Sequence, residues 1–373
     1  MLTALANLRR SVVIVRTLAR HDALLPLVAP LDIALLTGAA RRLSRRGVPG
    51  RPGERLAAAL QELGPSFIKL GQTLSTRADL LGERMAEDLS RLQDRLRPFS
   101  GIIARQTVEA ELEAPIERLF AEFDERPAAA ASIAQVHFAV TTEGAPVAVK
   151  ILRPGIEAAF ERDLVLFRQL ARLAERLAPP LRRLRPVAVV DTLAQTVAIE
   201  MDLRLEAAAA CELAANFVAD TSFHVPAIDW RRTARRVVTL ARVEGIPIDE
   251  RDRLIAAGHD LDQILTIAAN AVFAQVFRDG FFHADMHAGN IFVAADGTLS
   301  VVDFGIMGRL DRPTRNYLAD MLLGFLTRDY RRVADVHFRA GYVPAHQSID
   351  AFAQACRAIG EPILERPLEE ISM

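Results

Sequence analysis

The sequence predicts an α+β fold, and three changes of texture along the chain carry that reading. Residues 1–100 show helix-period apolar spacing, residues 128–151 alternate in strand fashion about a turn, and residues 280–305 form a polar, glycine-punctuated interruption of an otherwise helical stretch. With 51% hydrophobic and 25% charged residues, the 373-residue chain has an ordinary globular composition, which excludes wholesale disorder and a collagen-like or disulfide-stapled architecture.

Taken in order, apolar residues recur at helical spacing over 54–63 and again over 85–96. Between them, after the breaker Gly64-Pro65, runs the segment 66–75, and a second break falls at Pro98 to Gly101. Residues 136–140 read as a strand, Thr141-Thr142-Glu143-Gly144 as a turn, and Pro146 to Ile151 as the returning strand, so Lys150 lies on the return arm of a hairpin. Helical patterns follow over 156–177 and 187–217, and a strand over 236–240 leads into Glu244-Gly245. Two short apolar strands, 290–294 and 299–302, are joined through Asp296-Gly297, a hairpin-turn dipeptide. This order gives three expected regions: a helical extension over 1–100, a strand-rich lobe over 101–243 and a helix-rich lobe over 244–373.

Charge and rare residues narrow the chemistry. Lys plus Arg number 46 against 47 Asp plus Glu, a net −1, so no global field points to nucleic acid as a partner. Two cysteines, Cys211 and Cys356, are too few for a disulfide framework or a zinc site and read as small buried side chains in a reducing compartment. Of the 46 basic residues only Lys69 and Lys150 are lysine. In a chain that uses arginine everywhere else, these two mark positions where a compact ammonium is needed and a planar guanidinium will not serve. The longest apolar stretch, 24–40, holds Pro26, Pro30 and Asp32 and falls short of the ~20 residues of a spanning helix. No secretory signal pattern opens the chain. Residues 1–51 carry nine arginines against Asp22 and Asp32, which suits an anionic membrane surface at ~1 kcal/mol per residue near it; a solvated arginine face is the alternative.

Three elements together point to phosphoryl chemistry. Val147-Ala148-Val149-Lys150 is a strand-borne lysine of the kind that holds the α- and β-phosphates of ATP. His283-Ala284-Asp285-Met286-His287-Ala288-Gly289-Asn290 matches a catalytic loop in which Asp285 accepts the proton of an attacking hydroxyl and Asn290 holds Mg²⁺. Val302-Asp303-Phe304-Gly305 supplies a second Mg²⁺ ligand, Asp303, carried back beside Asn290 by the 290–302 hairpin. A transition-metal site at His283, Asp285 and His287 is the competing reading of the loop alone. Jointly, the elements predict a two-lobed protein-kinase-like fold with a helical N-terminal extension.

Further motifs are not shared with ordinary protein kinases. Lys69-Leu70-Gly71-Gln72 gives K-x-G-Q in the helical extension, the run Ala128 to Ser132 stands where a glycine-rich loop is usual, and Glu200-Met201-Asp202 with Glu206 gives E-x-D…E. In this order the motifs resemble the UbiB-type atypical kinase-like family, linked to ubiquinone biosynthesis, from about residue 10 to the end of the chain. The resemblance implies ATP or ADP with Mg²⁺, bound in an altered mode by Ala129, Ala130, Ala131, Ser132, Lys150 and Glu200, with Glu200 as the partner of Lys150. Alanine Cβ atoms would keep the loop backbone farther from phosphates than glycine does. The resemblance also implies that Lys69 and Gln72 fold over the cleft near Glu200, Asp202 and Glu206 and gate it. On a regular helix Asp202 and Glu206 share a face while Glu200 and Asp202 lie ~200° apart, so the three line one site only where the helix bends.

Met286 and Ala288 replace the two prolines of the family's H-x-D-P-H-P-G-N loop, which loosens the backbone without touching Asp285 or Asn290. The family's apolar C-terminal membrane hairpin is not found before Met373, so a shortened form or fragment is expected. The expected function is an atypical kinase-like Mg-ATP-binding protein, an ATPase or small-molecule phosphotransferase that supports ubiquinone biosynthesis. Its partners would be a polyprenyl-phenol or other lipid intermediate, other ubiquinone-biosynthesis proteins and the cytoplasmic face of the inner membrane. A nucleotide-sensing pseudokinase scaffold is the alternative. A 2-polyprenylphenol 6-hydroxylase role finds no support, since G-x-G occurs nowhere in the chain.

Overall fold

The computed structural model describes residues 2–28, 34–45, 47–92 and 96–364. Parts of the expected 24–40 and 85–96 stretches, and the C-terminus at Met373, lie outside these residues. The chain divides into two compact units: Met1–Ala208 with Ala227–Arg242, and Ala209–Pro226 with Val243–Met373.

In the first unit a five-stranded antiparallel sheet is built on the expected hairpin. Strands Ala134–Thr141 and Pro146–Leu152 pair over their whole length, flanked by Phe120–Phe123 on one side and Val237–Ala241 on the other, with the short strand Ala129–Ala130 beside the first. The alternation of Val147, Val149 and Ile151 sends these side chains into a core with Val108, Phe120 and Val237. Lys150 belongs to the opposite set. It stands level with Val136 and Val238 on the neighbouring strands.

The N-terminal helices pack into this unit rather than standing apart from it. Ile14, Leu18, Leu56, Leu60 and Phe67 share one core with Phe160, Phe167, Leu193 and Val238. Phe67 meets Phe167 edge-on at 4.9 Å between ring centres. Arg10 fastens the first helix, Leu2–Arg20, to the long helix Ile156–Leu177. Its guanidinium donates to both oxygens of Asp163 at 3.0 and 2.8 Å and to the Leu63 carbonyl at 3.1 Å. Asp163 is 1% exposed, so the pair is well shielded from solvent.

The helix Pro65–Ser75 carries the K-x-G-Q motif. Pro65 opens it after Gly64, a proline placed where the missing N–H is no loss. Gly71 has a packing reason to be glycine, because a Cβ there would collide with Leu92 and Leu60. The expected continuous helix over 187–217 is instead two, Pro186–Glu200 and Leu203–Asn216. At the junction the Leu203 N–H leaves the helical pattern and donates to the Arg235 carbonyl at 2.8 Å. Asp202 then accepts the Arg204 backbone N–H at 3.2 Å and restarts the chain as a helix.

In the second unit, Leu261–Phe273 begins at the cap Asp260 and passes into a π-helical turn, Ala274–Asp279. Gly280, at φ +65°, turns the chain into strand Phe281–His283, which pairs with Met307–Arg309. The expected second hairpin is present as Ile291–Val293 and Leu299–Val301, turned at Asp296-Gly297 with Gly297 at φ +86°. Phe223–His224 and Ile246–Pro247 complete its four-stranded sheet. Helices Arg312–Leu326, Tyr330–Arg339 and Ile349–Leu364 follow. No helix among the described residues is long and apolar enough to cross a membrane.

Candidate functional site

The two lysines of the chain each end in a shielded ion pair within the first unit. Lys69 Nζ lies 3.0 Å from Glu200 Oε2, with the side chains 13% and 5% exposed. Lys150 Nζ donates to Glu206 Oε1 at 2.8 Å, with 12% and 8% exposed. The expected partner of Lys150 was Glu200; the carboxylate bonded to Lys150 here is that of Glu206, and Glu200 is bonded to Lys69. The cause is the break at Met201-Asp202, which frees Glu200 and Glu206 from the angular relation of a single helix.

Asp202 does different work. Its carboxylate holds the Arg204 guanidinium at 2.9 and 2.6 Å, and that hydrogen bond keeps its pKa below the usual range despite partial burial. Gln72 sits one turn after Lys69 on the same helix face, partly buried.

The alanine-rich segment is a tight hairpin. Ala129 and Ala130 pair with Val136 and Gln135, and the Ala131 N–H donates to the Ala134 carbonyl at 2.9 Å. Arg153, which the sequence reading passed over, grips this turn: its guanidinium donates twice to the Ala131 carbonyl, at 3.0 and 2.8 Å. Ser132 is fully buried, with its hydroxyl hydrogen-bonded to nothing among the described residues.

In the second unit the loop 283–290 is shaped by its own backbone. His283 Nδ1 accepts the Asp285 N–H at 3.1 Å, so the proton of the neutral ring resides on Nε2, which donates to the Val302 carbonyl at 3.4 Å. Burial pushes the His283 pKa down and favours this neutral form. His283 commits both ring nitrogens to these bonds, and among the described residues no cluster of three His, Cys, Asp or Glu side chains is arranged to hold a metal. Both observations go against the transition-metal reading of the loop.

Asn290 is buried, and its Nδ2 donates to the Asp285 carbonyl at 3.1 Å. The bond orients the amide and leaves Oδ1 as its acceptor end. The Val302 N–H donates to the Asn290 carbonyl at 2.9 Å, so the strand leading to Asp303 is tied back to the loop, as the hairpin spacing requires. Asp303 has φ +66°, the left-handed region that Asp tolerates better than most residues. An amide oxygen and a carboxylate are hard oxygen donors of the kind Mg²⁺ prefers. Gln275 is a second residue absent from the sequence reading: it is fully buried in the π turn, and its Oε1 accepts the His283 N–H at 2.8 Å. No periodicity signal announces a π turn in advance.

Comparison with known proteins gives the family. The model of the ABC1 atypical kinase-like domain matches residues 91–337. A probable protein kinase UbiB of Marinobacter nauticus is 47% identical over 324 residues, covering 86% of this chain and 59% of that protein. The protein of the same name from Shewanella pealeana is 41% identical over 374 residues, 98% of this chain and 68% of its own length. The chain thus spans roughly three-fifths to two-thirds of these curated relatives. Among solved structures, Rv3197 of Mycobacterium tuberculosis, in complex with erythromycin, is similar at a TM-score of 0.54 and 27% identity, covering 88% of this chain and 80% of that one. The α+β, kinase-like chain belongs to the ABC1 atypical kinase-like family, in its UbiB group.

Proposed function

We propose that this protein binds Mg-ATP and acts as an ATPase or small-molecule phosphotransferase in support of ubiquinone biosynthesis at a membrane. The observation that carries the reading is the hydrogen-bonded loop in which His283 and Asn290 hold the Asp285 backbone while Val302 ties Asp303 to the same loop. Mg²⁺, held by Asn290 Oδ1 and the Asp303 carboxylate, would neutralise charge on the phosphates. Asp285 would take the proton from the attacking hydroxyl or water. The new O–P bond forms at the γ-phosphorus, and the β–γ bridging oxygen departs with ADP. Lys150, oriented by Glu206, would meet the α- and β-phosphates beside the Ala129–Ser132 hairpin. Lys69 and Gln72, on the extension over residues 1–100 and backed by Glu200, would regulate entry. A polyprenyl-phenol is the acceptor or cargo favoured by the family resemblance, and the basic N-terminal residues favour an anionic bilayer as the place of work.

A measurement of ATP turnover on anionic phospholipid vesicles, with and without a phenolic lipid precursor, tests this. Turnover by the wild type and a loss of at least a hundredfold in Asp285→Asn are expected. The shielding of both lysines in ion pairs favours a second reading, a nucleotide-sensing scaffold. Absent turnover with Mg-ATP binding intact would select it.

A further inference from the structure

We infer that Gln275 is a positioning residue for the loop 283–290, which it holds at two points, one of them a methionine sulfur standing where the family pattern has proline. The side chain is fully buried and divides its two ends between two parts of the loop. Oε1 accepts the backbone N–H of His283 at 2.8 Å, and Nε2 donates to the Sδ of Met286 at 3.6 Å. Sulfur accepts hydrogen bonds weakly and at longer range than oxygen, and that distance suits such a contact.

The local backbone explains how Gln275 reaches both points. The π turn Ala274–Asp279 inserts an extra residue into the helical register and so rotates Gln275 relative to the preceding helix. Gly280 then reverses the chain, and a Cβ there would stand 2.6 Å from the Leu310 carbonyl oxygen. The His283 N–H is buried, so without Gln275 a buried donor would lose its partner. His283 in turn sets the Asp285 N–H, and the Asp285 carbonyl sets the Asn290 amide. One buried amide therefore stands behind the whole chain of bonds that orients the Mg²⁺-side residue. A proline at 286 would restrain the loop through its fixed φ; Met286 gives no such restraint, and the sulfur–amide contact supplies one from the side chain.

The inference rests on the proposed function for its consequence but not for its geometry, and the test separates the two. Amide exchange at His283 and Asn290, followed by NMR, reads the loop directly. Mn²⁺-dependent and metal-free ADP affinities, measured by calorimetry, read its consequence. In Gln275→Leu, exchange at His283 is expected to accelerate at least tenfold. The Mn²⁺-dependent affinity should fall about tenfold, the scale for losing a residue behind a metal ligand, while metal-free affinity holds. Met286→Pro placed in the same variant should recover most of that loss. Should Gln275→Leu not fold, Gln275→Met, similar in length, carries the same measurements. Unchanged exchange at His283 would overturn the inference. So would equal losses of metal-dependent and metal-free affinity, or a Met286→Pro effect that adds independently. If wild type shows no metal-dependent ADP binding, the functional reading fails, and the exchange rates alone decide the position of Gln275.

Discussion

In the first unit Lys69 reaches Glu200 across 131 residues of sequence and Lys150 reaches Glu206 across 56, whereas every bond described for the acidic loop joins residues between 275 and 306. The lysine pairs of the first unit are assembled by tertiary packing; the acidic loop of the second is drawn by short-range backbone geometry. That contrast decides how each region should respond to damage. Long-range ion pairs, shielded from solvent, depend on both partners being delivered by separate helices and strands. A loop closed on itself loses orientation before it loses stability.

The sharpest way to break the comparison is to remove one carboxylate of the lysine pairs. Glu206→Ala should cost about 3 kcal/mol in urea unfolding, because it removes a charge partner of a shielded ammonium, while Asp285→Ala in the partly exposed loop should cost under about 1 kcal/mol. Equal costs would erase the distinction. A double-mutant cycle sharpens it further: Lys150→Met should couple with Glu206→Leu by more than about 1 kcal/mol and with Glu200→Leu by clearly less. A stronger coupling to Glu200 would restore the pairing that the sequence suggested.

Next in size is Gly71→Ala, which presses a methyl group against Leu60 and Leu92. About 1–3 kcal/mol of destabilisation is expected from the melting temperature, since the flexible leucine ends can yield part of the way. The smallest effect concerns pH. Burial lowers the pKa of both His137 and His283, so the folded chain keeps them neutral where the unfolded chain is protonated. Stability should therefore fall as pH drops below about 6.5, by at most ~1.4 kcal/mol per pH unit for each histidine. His283→Gln should flatten that slope; an unchanged slope would mean the histidine is protonated in the fold.

How much was legible in the sequence follows the same division. The strand bearing Lys150, the helix Ile156–Leu177 and the Asp296-Gly297 turn all announce themselves locally, and each is found within a residue or two of its expected place. The partner of Lys150 was not legible, because it depends on where the 187–217 stretch breaks. That break rests on the Arg235 carbonyl capturing the Leu203 N–H from a distant part of the chain. The hold of Arg204 on the Asp202 carboxylate, two residues away, was not legible either. Arg153 and Gln275 were overlooked because an arginine after a strand and a glutamine in a helix are unremarkable until the turn each one grips is known.

The most direct test of the account is a thermal melt of wild type and Asp303→Asn, each with and without Mg-ATP. Asparagine tolerates the left-handed backbone of Asp303 and is nearly the same size, so the variant removes charge with little strain. Ligand at 100 times Kd adds ~2.7 kcal/mol, a rise of a few degrees for a chain of this length. A Mg²⁺-dependent rise is expected in wild type and not in Asp303→Asn. The same rise in both proteins, or in neither, would contradict it.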